Sequence, residues 1–516
     1  MAIKAEDEHL DRLPGATLCS VEYNKQKACL PGTRKALLEV IEDWIHSGDD
    51  SERILWLCGP AGTGKSCVAN TIAQRMDSLG RLAASFRFDR HQTDRTPAVL
   101  IGNLCRQVAR FDDSLKGAIL DAMKQHGPGG SMPCSSQATK LFVGPISKTE
   151  IVGPIVIIID ALDESGNDKP VMGGTSREDL VRAIVEDFIH LPSSVKLFVT
   201  SREEGCIPAL MSRSGAQCKR LPITETSDVE SDIRAFVEDE IALIRDSKQR
   251  GCNWPGREKV QALTQYSDGL FICATVACKF IKDGRNPDWQ IKKVLDPSKS
   301  PQLPALDNLY TIVVEQSLSG EQSDEEERYN WLRVVGTVAV VRTPLTVDEM
   351  DALLGLPYHS LQTTSDFTNS LLPLLKVDAE NRVQLLHKSV FDFLTTRTID
   401  TSVWYTIDLS VWHQTLAVDC LTYMNKNLGY DMSWISTSAP AAAACNASAL
   451  RYACRHFAKH LSESALDHAP CINQLRIFLT GHLLHWFEVM SRLREIYKSD
   501  ESLKLLLACV PVSSDF

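Results

Sequence analysis

The sequence predicts an α/β domain with a parallel sheet, followed by a long region that is mostly helical. Apolar strands alternate with amphipathic helices between residues 53 and about 223, the order that builds a doubly wound sheet with helices on both faces. The run from Ile155 to Ile159 is β-branched throughout, so it must be covered on both sides, as in a central parallel strand. Beyond this domain the strand signal fades and helical spacing dominates.

Three further strands are predicted around this central one. The run 54–58 is compactly apolar, ends at Gly59 and Pro60, and is followed by a helix at 65–79. Short apolar runs at 82–88 and 196–199 complete the predicted set.

Length and composition limit the classes of protein that remain. A chain of 516 residues predicts three or four packed units. Its apolar share of 44% and charged share of 23% are typical of globular proteins rather than disordered ones. The net charge of -11 argues against nucleic acid as the main partner, because binding to phosphate backbones needs clustered Lys and Arg.

Cysteine spacing and hydropathy indicate a cytoplasmic protein. The sixteen cysteines are scattered without a CxxC pair, so neither a zinc site nor a thioredoxin-type motif is indicated. Reduced thiols in the cytosol are the simplest interpretation. The N-terminus is charged and lacks an apolar core, and no window is long and apolar enough to predict a membrane span.

The segment after the first strand reads GPAGTGKS and matches the P-loop pattern G-x-x-x-x-G-K-[ST] in full. Its glycines let backbone N–H groups surround the α- and β-phosphates, and the following helix directs its positive end at the same anion. Lys65 is expected to reach the β- and γ-phosphates, and the Ser66 hydroxyl to coordinate Mg²⁺. ATP and GTP both remain open, because these contacts are to phosphates that the two share. The predicted nucleotide-binding residues here are Gly59, Pro60, Ala61, Gly62, Thr63, Gly64, Lys65, Ser66 and Cys67.

Acidic residues follow the central strand directly. Asp160 stands at its carboxyl end, where the ligand crevice of an open α/β sheet lies, and is predicted to hold Mg²⁺. Asp163 and Glu164 come within one turn and could position or activate an attacking water. A loop whose acids only cap the next helix remains an alternative for these two residues.

Two further residues have weaker support from their positions alone. Arg202 follows the strand 196–199 and could meet the γ-phosphate, although a surface arginine explains the same position. His387 precedes an apolar segment, and a hydrogen-bonded structural histidine is the simpler interpretation.

The region after the sheet divides at changes in composition. Helical periodicity continues to about residue 295, and a Pro-rich stretch at 296–307 marks a boundary. Residues 331–400 have the order helix, turn, helix and short strand, which is compatible with a winged-helix module, and few basic residues to support DNA binding. Residues 404–516 are predicted to be all helical.

Several segments together resemble the NACHT-type signal-transduction NTPases, also called STAND proteins. The small Ala161 after Asp160 and the acidic pair Asp163-Glu164 match the NACHT version of the Walker B strand. The resemblance covers roughly residues 29 to 510. The core segments are CLPGTRKALLEVIEDW with GPAGTGKS, IVIIIDALDE, KLFVTSRE and SDGLFICATVACKFI. Later segments resemble the fungal set that includes heterokaryon-incompatibility and nephrocystin-like members, namely LDNLYTIVV, VVRTPLTVDEMDALLGL, VQLLHKSVFDFL and LRYACRHFAKHL.

The resemblance implies a switch that is closed with ADP or GDP and open and self-associating with the triphosphate. It implies slow hydrolysis and a role in signalling, such as fungal non-self recognition or programmed cell death, with sensor and effector partners unknown. The implied domains are an N-terminal arm at 1–28, a NACHT P-loop domain at 29–223, a helical lid at 224–300, a winged-helix domain at 301–400 and a helical arm at 401–516.

Individual roles also follow from the resemblance. Arg202 matches the position that senses the γ-phosphate, and His387 matches the winged-helix histidine that contacts the diphosphate in relatives. Arg34, with its two preceding residues, falls where relatives line the nucleoside. Phe271 replaces a proline that covers the base in relatives, which puts base contact by that segment in doubt. The short N-terminal arm indicates that the sequence is a minimal member of the family, a fragment or a truncated gene product.

Two other functions remain open beside the regulated NTPase switch. A small-molecule P-loop kinase needs an acceptor pocket and a compact lid, and the long helical region fits it poorly. A scaffold that binds nucleotide without cleaving it differs from the switch only in turnover.

Overall fold

The chain divides into two compact units, Met1–Thr275 and Val276–Phe516, in a computed structural model. The structure describes residues 8–15, 23–48, 51–89, 92, 95–130, 132–168, 174–224, 229–296, 304–318, 325–355, 363–395, 403–436, 441–464 and 469–509. The division falls inside the segment predicted as the lid. Most of the predicted Pro-rich boundary lies outside the described residues.

The first unit is built on a five-stranded parallel sheet in the order β2-β3-β4-β1-β5. Four of its strands were predicted from the sequence, and β5 was not. β5 lies at an edge and carries the exposed or half-buried side chains of Lys219 and Arg220, so it lacks the apolar run that identifies the others. The strands are β1 Ile54–Cys58, β2 Leu82–Arg87, β3 Ile155–Asp160, β4 Val195–Ser201 and β5 Cys218–Pro222.

Helices cover both faces of this sheet. In β1, Trp56 packs into the core on one face, while Leu55 and Leu57 pack into the core on the other. Because successive side chains point to opposite faces, the uninterrupted apolar run serves both cores, and the predicted α/β class is confirmed. The α-helices of this unit are Lys35–His46, Lys65–Ser78, Pro97–Phe111, Asp113–His126, Cys134–Gln137, Gly144–Ser147, Arg177–Arg182, Ile207–Met211, Val229–Ser247 and Arg257–Tyr266. The helix Phe271–Asp283 begins in this unit.

Part of the predicted N-terminal arm packs against the sheet domain. Leu10 and Leu13 are buried in the core that contains the helix Pro97–Phe111. The Arg106 guanidinium, itself buried, donates hydrogen bonds to the backbone carbonyls of Leu10 and Pro14, both at 3.1 Å. These bonds satisfy an otherwise costly buried cation and fix this stretch of chain.

The second unit combines helices with a small antiparallel sheet in the order β6-β8-β7. Thr346 and Glu349 form a capping box, in which each side chain accepts from the other's backbone N–H at the start of a helix. The strands are β6 Leu345–Thr346, β7 Leu375–Val377 and β8 Arg382–Leu385. The helices are Pro287–Val294, Ala305–Gln316, Glu325–Val340, Val347–Leu354, Thr364–Ser370, Lys388–Thr395, Leu409–Asn427, Ala441–Ser462, Ala469–Ile477, Leu483–Arg492 and Lys498–Cys509. Within the described ranges, no helix is both long and apolar enough to cross a membrane.

A buried chain of hydrogen bonds links the C-terminal helices. The Arg342 N–H donates to the Tyr452 hydroxyl at 3.2 Å, which in turn lies 2.8 Å from His460 Nε2. His460 Nδ1 lies 2.9 Å from His413 Nδ1, and His413 Nε2 lies 3.1 Å from the Glu463 carboxylate. One assignment satisfies every atom, with both imidazoles neutral and each donating toward Glu463.

The two buried histidines of this hydrogen-bonded chain, His413 and His460, predict that the folded protein loses stability in mild acid. Burial, opposed in His413 by Glu463, lowers the pKa of both His413 and His460, and nearby Arg342 lowers both further. Below the unfolded value near 6.5 the unfolded state binds protons that the folded state does not, so the free energy of unfolding falls as pH falls. The slope of the free energy of unfolding against pH reaches about 1.4 kcal/mol per pH unit for each ring.

Thermal unfolding midpoints between pH 7.5 and 5.5 should fall less steeply in His413→Gln than in wild type. The exposed His46→Gln should keep the wild-type slope, and an equal slope in all three would contradict the account.

Candidate functional site

The glycine-rich loop turns at the carboxyl end of β1 and leads into the helix Lys65–Ser78. Gly62 and Gly64 have φ of 77° and 93°, in the left-handed region that favours glycine. A Cβ on Gly62 would lie 2.0 Å from Ile272 Cγ2, and the Gly62 carbonyl accepts from the Ile272 N–H at 3.1 Å. The loop therefore requires glycine at this position for both conformation and space.

The Lys65 ammonium lies inside the curve of the loop. It donates to the carbonyls of Gly59 and Pro60 at 2.8 Å and 2.7 Å. Burial lowers the pKa of Lys65 to about 8, an effect that the carboxylates of Asp163 and Asp160 partly oppose and the Arg202 guanidinium reinforces. Three other charged groups of the predicted site thus act on this one ammonium.

Asp160 ends β3 and faces the first turn of the loop's helix. The Ser66 hydroxyl donates to Asp160 Oδ1 at 3.0 Å, and the Thr200 hydroxyl donates to the same oxygen at 2.5 Å. The Ala161 N–H donates to the Thr200 oxygen at 3.0 Å, which ties β4 to the turn after β3. On the other side, Arg87 Nε lies 3.7 Å from Asp160 Oδ2. The two predicted metal ligands, Ser66 and Asp160, are therefore adjacent.

Thr200 and Arg87 are site residues that the sequence reasoning missed. Both stand in strands next to β3, and Arg87 is in register with Asp160. Burial opposes the charged form of Arg87, but the surrounding negative groups, first Asp160 and then Glu164, outweigh it and raise the pKa of Arg87. The signal for Thr200 and Arg87 in the sequence is that each is a polar residue near the end of a strand.

Asp163 lies in a 3₁₀ turn, Leu162–Glu164, that follows the left-handed Ala161. It accepts the Arg202 backbone N–H on Oδ1 at 3.1 Å, and Arg202 Nε lies 3.4 Å from Oδ2. The structure thus brings these two predicted residues together. The next α-helix is capped by Ser176 and Asp179 instead, which leaves the capping alternative without support for Asp163.

Arg34 is buried beside the loop in a left-handed conformation. Its Nη2 donates to the Thr63 carbonyl at 2.8 Å, its Nε lies 3.8 Å from Asp232, and its guanidinium lies 5.0 Å from the centre of the Phe271 ring. Arg34 therefore braces the loop against the helices that follow the sheet. Its predicted contact with the nucleoside stays a prediction.

Cys67 and His387 are placed by local contacts. The Cys67 N–H donates to the Gly64 carbonyl at 3.0 Å, in the first turn of the loop's helix. His387 belongs to the second unit, where its Nδ1 accepts the Ser389 N–H at 3.1 Å and lies 2.7 Å from the Ser389 hydroxyl. This is the local hydrogen bonding expected of a structural histidine, and its contact with a diphosphate stays a prediction.

The donor set fits Mg²⁺. This ion prefers oxygen ligands and is bound in P-loop proteins by one or two protein groups together with phosphates and water. The Ser66 hydroxyl and Asp160 carboxylate supply such a pair. No group of three or more His, Cys, Asp or Glu side chains suited to an all-protein metal site occurs in the described part of the chain.

Comparison with known proteins identifies the segment that carries this geometry. Residues 32–202 match the family model described as nephrocystin 3, N-terminal. No curated protein sequence matches the chain. The matched segment contains every predicted site residue except His387.

The solved structures that match this chain have low sequence identity to it and low TM-scores. A STAND protein with a tetratricopeptide repeat sensor from Pyrococcus horikoshii has 12% identity and a TM-score of 0.42, and the match covers 96% of this chain and 60% of that one. RuvB from Thermotoga maritima has 14% identity, coverage of 70% and 95%, and a TM-score of 0.26. PCH-2 from C. elegans has 12% identity, coverage of 56% and 72%, and a TM-score of 0.27.

The family match and the loop geometry agree with the resemblance derived from the sequence. The match begins before the P-loop and ends at Arg202, the residue that pairs with Asp163. Residues 32–202 are therefore similar to the family described as nephrocystin 3, N-terminal, and the predicted resemblance to nephrocystin-like P-loop NTPases is confirmed.

Proposed function

We propose that this protein is a nucleotide-binding molecular switch of the NACHT/STAND class. It binds ATP or GTP with Mg²⁺, hydrolyses the triphosphate slowly, and changes conformation and self-association in signalling as it does so. The observation that carries the proposal is the 3.0 Å contact of Ser66 with Asp160, beside the Lys65 ammonium and at the carboxyl ends of the strands. Ligands of open α/β sheets bind at this edge.

In this proposal the residues Gly59 to Cys67 hold the phosphates. The backbone N–H groups of the loop and the helix start meet the α- and β-phosphates, and Lys65 exchanges its carbonyl partners for the β- and γ-phosphates. Ser66 and Asp160 hold Mg²⁺, which when bound neutralises phosphate charge and helps align the triphosphate. Arg34 orders the loop from the side of the nucleoside.

Cleavage is assigned to three residues beyond the loop. Asp163 and Glu164 orient a water and accept its proton, and Arg202 stabilises charge on the γ-phosphate. The supporting geometry is the proximity of Asp163 and Arg202 to each other and to Lys65.

The remaining parts of the chain are assigned to the output of the switch. We infer a helical lid at 224–300, a winged-helix domain at 301–400 and a helical arm at 401–516, with His387 reporting the diphosphate. Helices followed by the strands β7 and β8 support the winged-helix assignment. We expect self-association with triphosphate, protein rather than nucleic-acid partners, and a cytoplasmic location.

Phosphate release tests the proposal. Wild type with Mg²⁺ and ATP or GTP should turn over on the order of 10⁻⁴ to 10⁻² s⁻¹, the range of unassisted P-loop switches. Glu164→Gln should lower this rate with binding retained, while Glu178→Gln, which removes a half-buried carboxylate paired with Arg182, should not. Binding with no turnover in wild type would favour the scaffold. The mass by light scattering should be larger with a non-hydrolysable triphosphate than with the diphosphate, and equal masses would contradict nucleotide-driven assembly.

A further inference from the structure

The carboxylate of Asp163 is engaged at both oxygens by a single residue. The Arg202 backbone N–H donates to Asp163 Oδ1 at 3.1 Å, and Arg202 Nε lies 3.4 Å from Asp163 Oδ2. The side chain of Asp163 is 4% exposed and that of Arg202 is 15% exposed. Because this ion pair is largely removed from water, the attraction between its two charges is strong enough to compete with other partners of the carboxylate or of the guanidinium.

The backbone on both sides of this pair is fixed. The Arg177 guanidinium donates to the Asp163 carbonyl at 2.7 Å and is itself bound to Asp168 at 2.6 Å. The Ser201 hydroxyl donates to the Arg202 carbonyl at 2.9 Å and accepts from the Trp56 indole at 2.7 Å. With both backbones held, rotation of the long Arg202 side chain is the least costly way to separate the pair.

We propose that Arg202 and Asp163 form an electrostatic latch that keeps the proton acceptor blocked until a γ-phosphate is bound. This proposal rests on the proposed function. A carboxylate oxygen paired with the guanidinium is a poor acceptor for a water proton, so the pair and the hydrolytic step exclude each other. The γ-phosphate competes for the Arg202 guanidinium, and Asp163 Oδ2 then becomes available.

The released carboxylate completes a balanced hydrolysis. A water oxygen forms a bond to the γ-phosphorus and transfers its proton to Asp163. The bond from the γ-phosphorus to the bridging oxygen breaks, and its electron pair leaves with the diphosphate. The proton on Asp163 returns to solvent, and Arg202 pairs with the carboxylate again once the phosphate departs.

A latch of this kind should weaken binding of the triphosphate but not of the diphosphate. The free energy gained when Arg202 binds the γ-phosphate is partly offset by the loss of its pair with Asp163. The diphosphate does not reach Arg202 in this scheme and leaves the pair intact. Removing the charge of Asp163 should therefore improve triphosphate binding, but only while Arg202 is present.

A double-mutant cycle measures this dependence. Dissociation constants for a non-hydrolysable purine triphosphate and for the diphosphate, both with Mg²⁺, are compared in wild type, Asp163→Asn, Arg202→Gln and the double variant. Asp163→Asn should tighten triphosphate binding about fivefold or more, a typical coupling between linked sites. Diphosphate binding should stay unchanged, and the tightening should be lost in the Arg202→Gln background. The matched control is Glu203→Gln, which removes an exposed carboxylate next to Arg202 in the sequence that pairs with Arg220 at 2.7 Å, and which should leave the ratio of the two constants unchanged.

The outcomes separate the latch from its alternatives. Equal tightening with and without Arg202 would show simple repulsion between Asp163 and phosphate and would overturn the latch, as would no tightening. A wild type that binds no nucleotide refutes the proposed function instead. Circular dichroism and thermal unfolding check each variant, and Asp163→Ser provides the same comparison if Asp163→Asn does not fold.

Discussion

Replacing Lys65 by alanine should lower the affinity for the triphosphate by about 100-fold. The ammonium sits within the loop between the carbonyls of Gly59 and Pro60, where phosphate oxygens are expected to replace these acceptors. Hydrogen bonds to charged groups contribute about 1.5 to 3 kcal/mol each, so the loss of two corresponds to at least two orders of magnitude. Calorimetric titration in the presence of Mg²⁺ measures the change.

The control for this substitution is Lys124→Ala, which removes a lysine whose exposed side chain pairs with Asp121 three residues earlier on the same helix. Lys65→Ala is not expected to destabilise the fold, because burial disfavours the charged ammonium and lowers its pKa to about 8. An unchanged affinity in Lys65→Ala, with the fold intact, would mean that nucleotide binds elsewhere on the chain.

Asp160→Asn should remove most of the gain in affinity that Mg²⁺ provides. The carboxylate is in direct contact with Ser66, and an amide oxygen is a weaker ligand for a hard cation. The amide also cannot satisfy both the Ser66 and Thr200 hydroxyls and the Arg87 guanidinium without turning its N–H groups toward a donor. Affinity should fall about tenfold to 100-fold at saturating Mg²⁺, the loss expected for one charged ligand.

The measurement for this variant is nucleotide affinity as a function of Mg²⁺ concentration. Without Mg²⁺ the variant should bind at least as well as wild type, because one negative charge near the phosphates is gone. Asp168→Asn, which leaves Ser66 and Asp160 intact, should keep the wild-type Mg²⁺ dependence. A normal Mg²⁺ response in Asp160→Asn would remove this residue from the metal site.

The parts of the site that the sequence predicts are those carried by contiguous residues. The loop from Gly59 to Ser66 and the strand ending at Asp160 each combine a local pattern with a local mechanism. The convergence of Ser66 and Asp160 then follows, because carboxyl ends of parallel strands meet at one edge. This is why two segments about a hundred residues apart could be assigned to one site from the sequence.

The parts that the sequence does not predict depend on strand order and on distant contacts. Thr200 and Arg87 reach Asp160 because β4 and β2 flank β3, and this order is not written in any single segment. Arg34 finds Asp232 across about 200 residues of chain, in a contact that only the folded domain creates. The edge strand β5 was missed because it lacks an apolar run. Strands at the edge of a sheet tolerate polar and charged residues, so the apolar pattern that identifies the other strands is absent there.

The pairing of Asp163 with Arg202 illustrates the difference between assigning residues and assigning states. The sequence identifies both as candidates for cleavage, but it does not indicate that they bind each other. Their contact changes the expected behaviour of the site from constant turnover to turnover that depends on release of the arginine. Such coupling can only be derived from distances.

The most direct test of the account is calorimetric titration of the full chain with ATP and with GTP, each in the presence of Mg²⁺. We expect saturable binding of one nucleotide per chain by at least one of them, with affinity reduced when Mg²⁺ is chelated and largely lost in Lys65→Ala. The absence of any saturable signal from either nucleotide at millimolar concentration, with a folded protein, would contradict it.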